Sequence, residues 1–249
     1  MNNSRWQVLS YTVIGLIAGA LVGLNQLRMM PVDQVNAMLA QVGSPLALAA
    51  IAGVQSAILV VVSSILGLRM ASQVGFNTAI VVEMAGVRTA LLVALVLGMV
   101  IVGSDVWVFA PYLPANIDVP FSWLGLASSV LYGGIVEEIL LRLFVMTLIV
   151  WLMSRVLGLF GMQNILPTWV FWWAIALSAL LFAAGHLPVT FAMLCPVDGD
   201  CTPLIVRALV LNGIGGLGFG YLYWRHGLTT AMVSHMATHV VMQGVLLVV

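Results

Sequence analysis

The sequence predicts an all-α fold, a polytopic transmembrane helical bundle of about seven or eight spans. Of its 249 residues, 63% are apolar and 6% are charged, whereas charged residues make up roughly a quarter of a soluble domain. The apolar residues occur in runs of about 20, the length that crosses a bilayer as a helix. The alternation of a β-barrel is absent, so helices are the one structure that pairs every backbone group within lipid.

Charged or turn-forming residues bound the apolar runs, and each run is one predicted span. With short loops these spans fill the chain, so residues 1–249 are predicted to form a single integral membrane domain. The first run lacks a small-residue cleavage site and is interpreted as a permanent helix. The net charge of zero provides no basic surface for nucleic acid. The predicted spans are residues 8–27, 45–68, 89–109, 121–153, 168–187, 203–224 and 228–248.

Arginines in the loops predict the orientation of the chain, which contains no lysine. If the N-terminus is cytoplasmic, five loop arginines fall on the inner side and Arg28 alone falls on the outer side. The positive-inside rule therefore favours a cytoplasmic N-terminus and an external C-terminus. In a prokaryote the chain would lie in the inner, or plasma, membrane. The five arginines are Arg5, Arg69, Arg88, Arg155 and Arg225.

Cysteine, glycine and aromatic residues predict further local features. Cys195 and Cys201 would share one outer loop, where either a disulfide or two free thiols are expected. Gly216 and Gly220 form a small-xxx-small face that lets a neighbouring helix approach closely. Aromatic residues at the ends of the fifth and sixth predicted spans are interpreted as interfacial anchors. These are Trp169, Trp172, Trp173, Tyr221, Tyr223 and Trp224.

Three ionisable residues interrupt the fourth predicted span. A carboxylate within the bilayer costs on the order of 3 kcal/mol on insertion scales, so such residues usually mark a functional site. Glu138 and Arg142 are four residues apart, share a helical face and are predicted to pair. Glu137 points about 100° away from Glu138. It has no partner in its own helix, which favours a functional role for its carboxylate.

Histidines are the other ionisable side chains of interest within the spans. His186 follows Phe182 by four residues in the fifth span, and His235 and His239 lie four apart on one face of the seventh. A carboxylate and a neutral imidazole that converge on a water can remove its proton. Further imidazoles can donate hydrogen bonds to the oxyanion formed from a carbonyl. Alternatively, the histidines bind a divalent metal such as zinc and Glu137 is the base.

Three motifs in this order resemble those of the CPBP intramembrane proteases, which include the type II CAAX prenyl proteases and the bacteriocin-processing, Abi-like proteins. The family patterns are E-E-x-x-x-R, F-x-x-x-H and H-x-x-x-N or D. They correspond here to residues 137–142, 182–186 and 235–239. The resemblance covers roughly residues 121–243, which are therefore the predicted catalytic core of a CAAX-protease-like fold. The N-terminal spans, within residues 1–110, match no motif of the family.

The resemblance implies an endopeptidase whose substrate is a peptide or a membrane-anchored protein, prenylated in part of the family. By resemblance, Glu137 and His186 activate the water, while His235 and residue 239 form the oxyanion site. His239 departs from the family, which usually has Asn or Asp there. Imidazole can donate a hydrogen bond and can also bind a metal, so a metal held by His186, His235 and His239 is the second scheme. The supporting residues are Glu138, Arg142 and Phe182.

Two other functions remain open at this point, although H-E-x-x-H and G-x-S-G motifs of rival intramembrane proteases are absent from the sequence. One is a proton-coupled transporter that uses Glu137 and the histidines. The other is a catalytically silent scaffold or chaperone, for which His239 is the main support. Each of these functions requires His186 to lie at the same depth in the membrane as Glu137, although His186 is near the outer end of its predicted span. It meets Glu137 if that helix tilts or begins below the membrane, or if residues 188–196 fold back as a re-entrant segment.

Overall fold

The computed structural model describes residues 2–81, 83–114, 121–160, 166–195 and 199–247. All regular structure in these ranges is helical, which confirms the prediction of an all-α membrane bundle. The α-helices are α1 (Asn2–Met29), α2 (Val32–Val42), α3 (Pro45–Val74), α4 (Met84–Ser104), α5 (Trp123–Ser128), α6 (Thr147–Leu159), α7 (Thr168–Gly185), α8 (Leu187–Met193), α9 (Thr202–His226) and α10 (Leu228–Leu246).

A continuous helix over residues 123–159, which we call the motif helix, contains the first motif. It begins as α5, continues through the π-helical segments Ser129–Glu137 and Ile139–Met146, and ends as α6. The hydroxyl of Ser122 accepts a hydrogen bond from the backbone N–H of Gly125 at 3.1 Å and caps its first turn. π-Helical turns are rare and occur frequently at functional sites. Periodicity alone predicted an ordinary α-helix here.

Five helical stretches are long and apolar enough to cross a membrane among the described residues. The predicted count of about seven spans is therefore not confirmed. The motif helix, which contains the first motif, and α10, which contains the third, are not among the five. The predicted end of the last span, residue 248, lies outside the described residues. The five stretches are Ser4–Met29, Pro45–Val74, Met84–Tyr112, Thr168–Met193 and Thr202–His226.

Glycines allow close contacts between the helix backbones. A Cβ atom on Gly216 would lie 2.8 Å from the Cα atom of Ala179, so α9 and α7 touch at this point. A Cβ atom on Gly220 would lie 3.1 Å from the side chain of Ile175, one turn closer to the end of α9 and to the start of α7. These contacts bear out the predicted small-xxx-small face. They fix α7, which ends beside the second motif, against α9.

Hydrogen bonds join the starts of two helices to the α3–α4 connection and so show which helix ends lie on the same face of the bundle. Gln7, near the start of α1, donates to the carbonyl of Thr78 at 2.7 Å, and Leu228, at the start of α10, donates to the carbonyl of Asn77 at 3.0 Å. The start of α1, the α3–α4 connection and the α9–α10 connection therefore share one face. We call it the arginine face because it carries Arg5, Arg69, Arg88, Arg155 and Arg225.

Two predictions about local features have definite outcomes. Cys195 and Cys201 are joined by a disulfide, with 5.2 Å between their Cα atoms. The prediction that Tyr223 is an interfacial anchor was wrong, because its side chain is fully buried. Its hydroxyl hydrogen-bonds to Oγ1 of Thr147 at 2.9 Å, and its ring packs against Phe76. An aromatic residue near the end of an apolar run can equally well face the protein core.

Candidate active site

Glu138 and Arg142, one turn apart in the motif helix, form the predicted ion pair. Both side chains are fully buried, and Nη1 of Arg142 lies 3.0 Å from Oε1 of Glu138. Nη2 of Arg142 also donates to the carbonyl of Gly216 in α9 at 3.2 Å, and its guanidinium lies 4.7 Å from the centre of the Phe182 ring. A buried charge that loses its partner is costly. The pair therefore holds the motif helix to α7 and α9. Oε1 of Glu138 is already occupied, whereas Oε2 is buried without a hydrogen-bond partner among the described residues.

The His235 ring is held on both its edge and its face. Nδ1 lies 2.8 Å from Oε1 of Glu138, and the ring stacks on Phe219 with 4.2 Å between centroids. A carboxylate paired with Arg142 is an acceptor, so Nδ1 of His235 is the donor and carries the proton of the neutral ring. Nε2 is then left with its lone pair. This arrangement was not predicted, because it joins residues 97 positions apart on different helices.

Glu137 differs from its neighbour in having a partly exposed carboxylate. Its side chain is 20% exposed, whereas that of Glu138 is completely buried. Oε2 of Glu137 lies 4.0 Å from Nε2 of His235, and no other ion-pair neighbour of Glu137 occurs in the described part of the chain. This distance is too long for a hydrogen bond and short enough for one bridging water. The predicted division between the two glutamates is thus present in the structure.

His186 lies at the junction between α7 and α8. Its Nδ1 is 2.8 Å from the carbonyl oxygen of Phe182, which can only accept, so Nδ1 is the donor and Nε2 keeps its lone pair. The Phe182 ring packs edge-on against His186 and against His235, at 4.8 and 5.9 Å between centroids. The chain continues after His186 as the short helix α8, with Pro188 in its first turn. Of the predicted re-entrant segment 188–196, residues 188–193 are therefore helical, and Pro196 lies outside the described residues.

His239 occupies a tight position beside the motif helix. Its ring stacks on that of His235 with 5.0 Å between centroids. Nε2 of His239 is buried and has no hydrogen-bond partner among the described residues. The side chain lies against Gly133, where a Cβ atom would be 3.1 Å from Cδ2 of the imidazole and would overlap with Nε2. The absence of a side chain at Gly133 is therefore what makes room for imidazole at this position.

The four predicted site residues line one cavity of about 300 Å³: Glu137, His186, His235 and His239. Side chains from α1 and α9 complete its wall, among them Asn25, Arg207 and Asn212. A second cavity of about 480 Å³, between α1, α8 and α9, shares these three residues, Val22 and His186 with the first. All four residues singled out in the sequence thus line the same cavity, whereas the contribution of α1 and α4 was not predicted.

Arg207 and Asp105 form an ion pair that the sequence analysis missed. Nε and Nη2 of Arg207 donate to the two carboxylate oxygens of Asp105 at 2.6 and 2.5 Å. The pair joins α9 to the π-helical end of α4 (Asp105–Phe109), and both side chains are about one-fifth exposed. An arginine within a predicted apolar span was the available signal. Its partner could not be identified because the two residues are 102 positions apart.

A metal ion would need three side chains that converge on one point. No group of three or more His, Cys, Asp or Glu side chains in the described ranges is arranged to do so. His186 and His235 each use Nδ1 in a hydrogen bond to an oxygen, as metal-bound histidines do. Nε2 of His239, however, is packed against Gly133. The side chains as placed do not fit the predicted three-histidine metal site.

The fold and the site together define an integral membrane protein whose ionisable side chains meet at a cavity between helices. The same region of the chain, residues 119–241, matches the family model described as type II CAAX prenyl endopeptidase Rce1-like. The match confirms the predicted resemblance to this family and indicates a membrane endopeptidase. No curated protein and no solved structure matches the chain.

Proposed function

We propose that the chain is an intramembrane endopeptidase that hydrolyses a peptide bond with a water activated by Glu137 and His186. The observation that supports this proposal is the meeting of three distant motifs at one cavity of about 300 Å³. The Rce1-like family match supports peptide hydrolysis as the reaction. The geometry of the individual side chains supports a division of roles among them.

The base in this proposal is Glu137, because the side chain of Glu138 is completely buried and its Oε1 already has two partners. Oε1 of Glu138 is shared by Arg142 at 3.0 Å and His235 at 2.8 Å. Glu137 faces the cavity and has no such contact at hydrogen-bond distance among the described residues. A carboxylate that retains access to water can take the proton from it. His186 assists, since its Nδ1 is held by Phe182 and its Nε2 lone pair is left to accept a hydrogen bond from the same water.

The water oxygen attacks the carbonyl carbon of the substrate, and the C–N bond breaks as the proton passes from Glu137 to the leaving amine. His235 and His239 are the proposed donors to the oxyanion that forms in between. Nε2 of His239 is buried without a hydrogen-bond partner among the described residues, and its donation to an oxyanion would require the ring to turn away from Gly133 toward the cavity. His235 already donates from Nδ1 to Glu138, so its Nε2 becomes a donor when the proton taken from the water passes to it from Glu137, 4.0 Å away, before that proton reaches the leaving amine. The Glu138 carboxylate then stabilises the imidazolium.

The test uses the full-length protein purified in detergent and a proteome-derived peptide library, with new peptide termini detected by mass spectrometry. We expect Glu137→Gln and His186→Gln to lower the rate by about 10²–10⁴-fold, the usual contribution of a general acid or base. Glu83→Gln and His226→Asn are matched controls, because both native side chains are exposed and lie outside the cavity. Unchanged cleavage in Glu137→Gln would overturn the proposal.

The metal-assisted scheme is the second version of the same function, with His186, His235 and His239 as its ligands. It would require the His239 ring to leave its position against Gly133. Metal analysis of the purified protein, together with assays after chelation and after addition of zinc, separates the two versions. Activity that is lost with the metal and restored by zinc would favour the metal scheme. Full activity in metal-free protein would favour the Glu137 and His186 scheme.

A further inference from the structure

We infer that the catalytic cavity opens toward the extracytoplasmic side of the membrane, so that the substrate is a polypeptide segment presented from that side. The inference rests on the proposed peptidase function and adds the compartment from which the substrate arrives. Three observations carry it: the location of the arginines, the direction of the cavity and the location of the disulfide.

The arginine face is the side of the bundle that the positive-inside rule assigns to the cytoplasm. The chain has eight basic residues, and five of them lie at or near helix ends on that one face. Loop contacts show that these ends belong together, since Asn77 and Thr78 contact the starts of α10 and α1. Arg28 is in the last turn of α1, at the opposite face. An excess of arginine in short loops marks the cytoplasmic side.

The cavity leads away from the arginine face. The part of its wall farthest from the arginine face consists of residues near the opposite ends of their helices. These are Asn25 in α1, Ile101 in α4, Arg207 in α9 and Met242 in α10. The connected second cavity continues further in this direction, along Met29 at the end of α1. None of the five arginines of the arginine face lines either cavity. Substrate that enters by the shortest route therefore comes from the opposite side.

The disulfide provides an observation that does not depend on the arginines. Cys195 follows Leu194, which lines the second cavity, and Cys201 immediately precedes α9. The bond is thus located at the mouth of the connected cavities. Disulfides persist in oxidising, extracytoplasmic compartments and are rare where thiols are kept reduced. The arginines thus assign the arginine face to the cytoplasm, and the disulfide independently assigns the mouth to the opposite side of the membrane.

Cysteine labelling in intact cells tests the orientation. The two native cysteines are joined, so an introduced thiol is the one available for a membrane-impermeant maleimide. Asn36→Cys places it on the exposed surface of α2, on the side of the mouth, and His226→Cys places it on the arginine face. We expect labelling of the Asn36→Cys protein in intact cells and of the His226→Cys protein only after lysis. The reverse pattern would overturn the inference.

A second experiment separates the orientation from the peptidase function. Peptides that the purified protein cleaves in detergent are added to right-side-out and to inverted membrane vesicles. We expect cleavage in right-side-out vesicles, lost in the Glu137→Gln variant, and little cleavage in inverted ones until detergent is added. Cleavage confined to inverted vesicles would refute the orientation and leave the function standing. The expected labelling pattern without any Glu137-dependent cleavage in detergent would refute the function instead.

Discussion

Replacing Gly133 by alanine tests the contact between the motif helix and His239. The added Cβ atom would lie 3.1 Å from Cδ2 of His239 and would overlap with Nε2. Ordinary contact between heavy atoms needs about 3.5 Å, so relieving the overlap with Nε2 requires the imidazole to move by roughly 1 Å. The ring cannot move freely, because it stacks on His235 with 5.0 Å between centroids.

Two effects of Gly133→Ala follow, one on stability and one on activity. Overpacking a well-packed interior costs about 1–3 kcal/mol in the free energy of unfolding. A displacement of about 1 Å in a catalytic group can cost on the order of 10²-fold in rate. Both effects should shrink in the Gly133→Ala/His239→Asn double variant, because the shorter amide side chain leaves room for the new methyl group. We expect a favourable coupling of about 0.5–3 kcal/mol between the two positions.

Thermal unfolding in detergent and the peptide cleavage assay measure these effects. Gly213→Ala is the matched control, since a Cβ atom on Gly213 meets no atom within 4 Å. It should leave the melting temperature and the rate near those of the wild type. If Gly133→Ala behaved like Gly213→Ala, the described packing of His239 would be wrong. If the double variant recovered neither stability nor rate relative to Gly133→Ala, a contact other than the one with His239 would be responsible.

Three further predictions concern stability and are checked by unfolding in detergent. Arg142→Met should cost about 3–5 kcal/mol because the Glu138 carboxylate remains buried without its partner, and adding Glu138→Gln should recover part of the loss. Thr147→Val should cost about 1–3 kcal/mol because the buried Tyr223 hydroxyl loses its partner. Tyr223→Phe, which removes that hydroxyl, should cost less. Equal losses in the two variants would contradict this account. Cys195→Ser should cost about 2 kcal/mol for so short a loop, and the wild type under reducing conditions should show the same loss.

Local relations along one helix could be predicted from the sequence. The spacing of Glu138 and Arg142 identified their pairing, and the same argument left Glu137 free to face the cavity. The spacing of Gly216 and Gly220 identified a close helix contact. Each of these inferences needs just the period of an α-helix and the cost of a polar group in lipid.

Relations between helices could not be predicted, because periodicity does not fix which helices are neighbours or at what height they meet. The hydrogen bond from His235 to Glu138 and the ion pair of Arg207 with Asp105 both belong to this class. The burial of Tyr223 depends on Thr147, which lies 76 positions away. The π-helical turns also escaped prediction, since the same residues would form an ordinary α-helix in isolation.

The first helix has a consequence for how this chain could diversify. Val22 and Asn25 of α1 form part of the wall of the cavity that contains Glu137, and with Met29 they border the adjoining one. The family match begins at residue 119, so part of the wall belongs to a region outside it. Selectivity could thus evolve by substitutions in the N-terminal half while the glutamate and histidines stay constant. Chimaeras that exchange this half between related chains would be expected to exchange their preferred cleavage sequences.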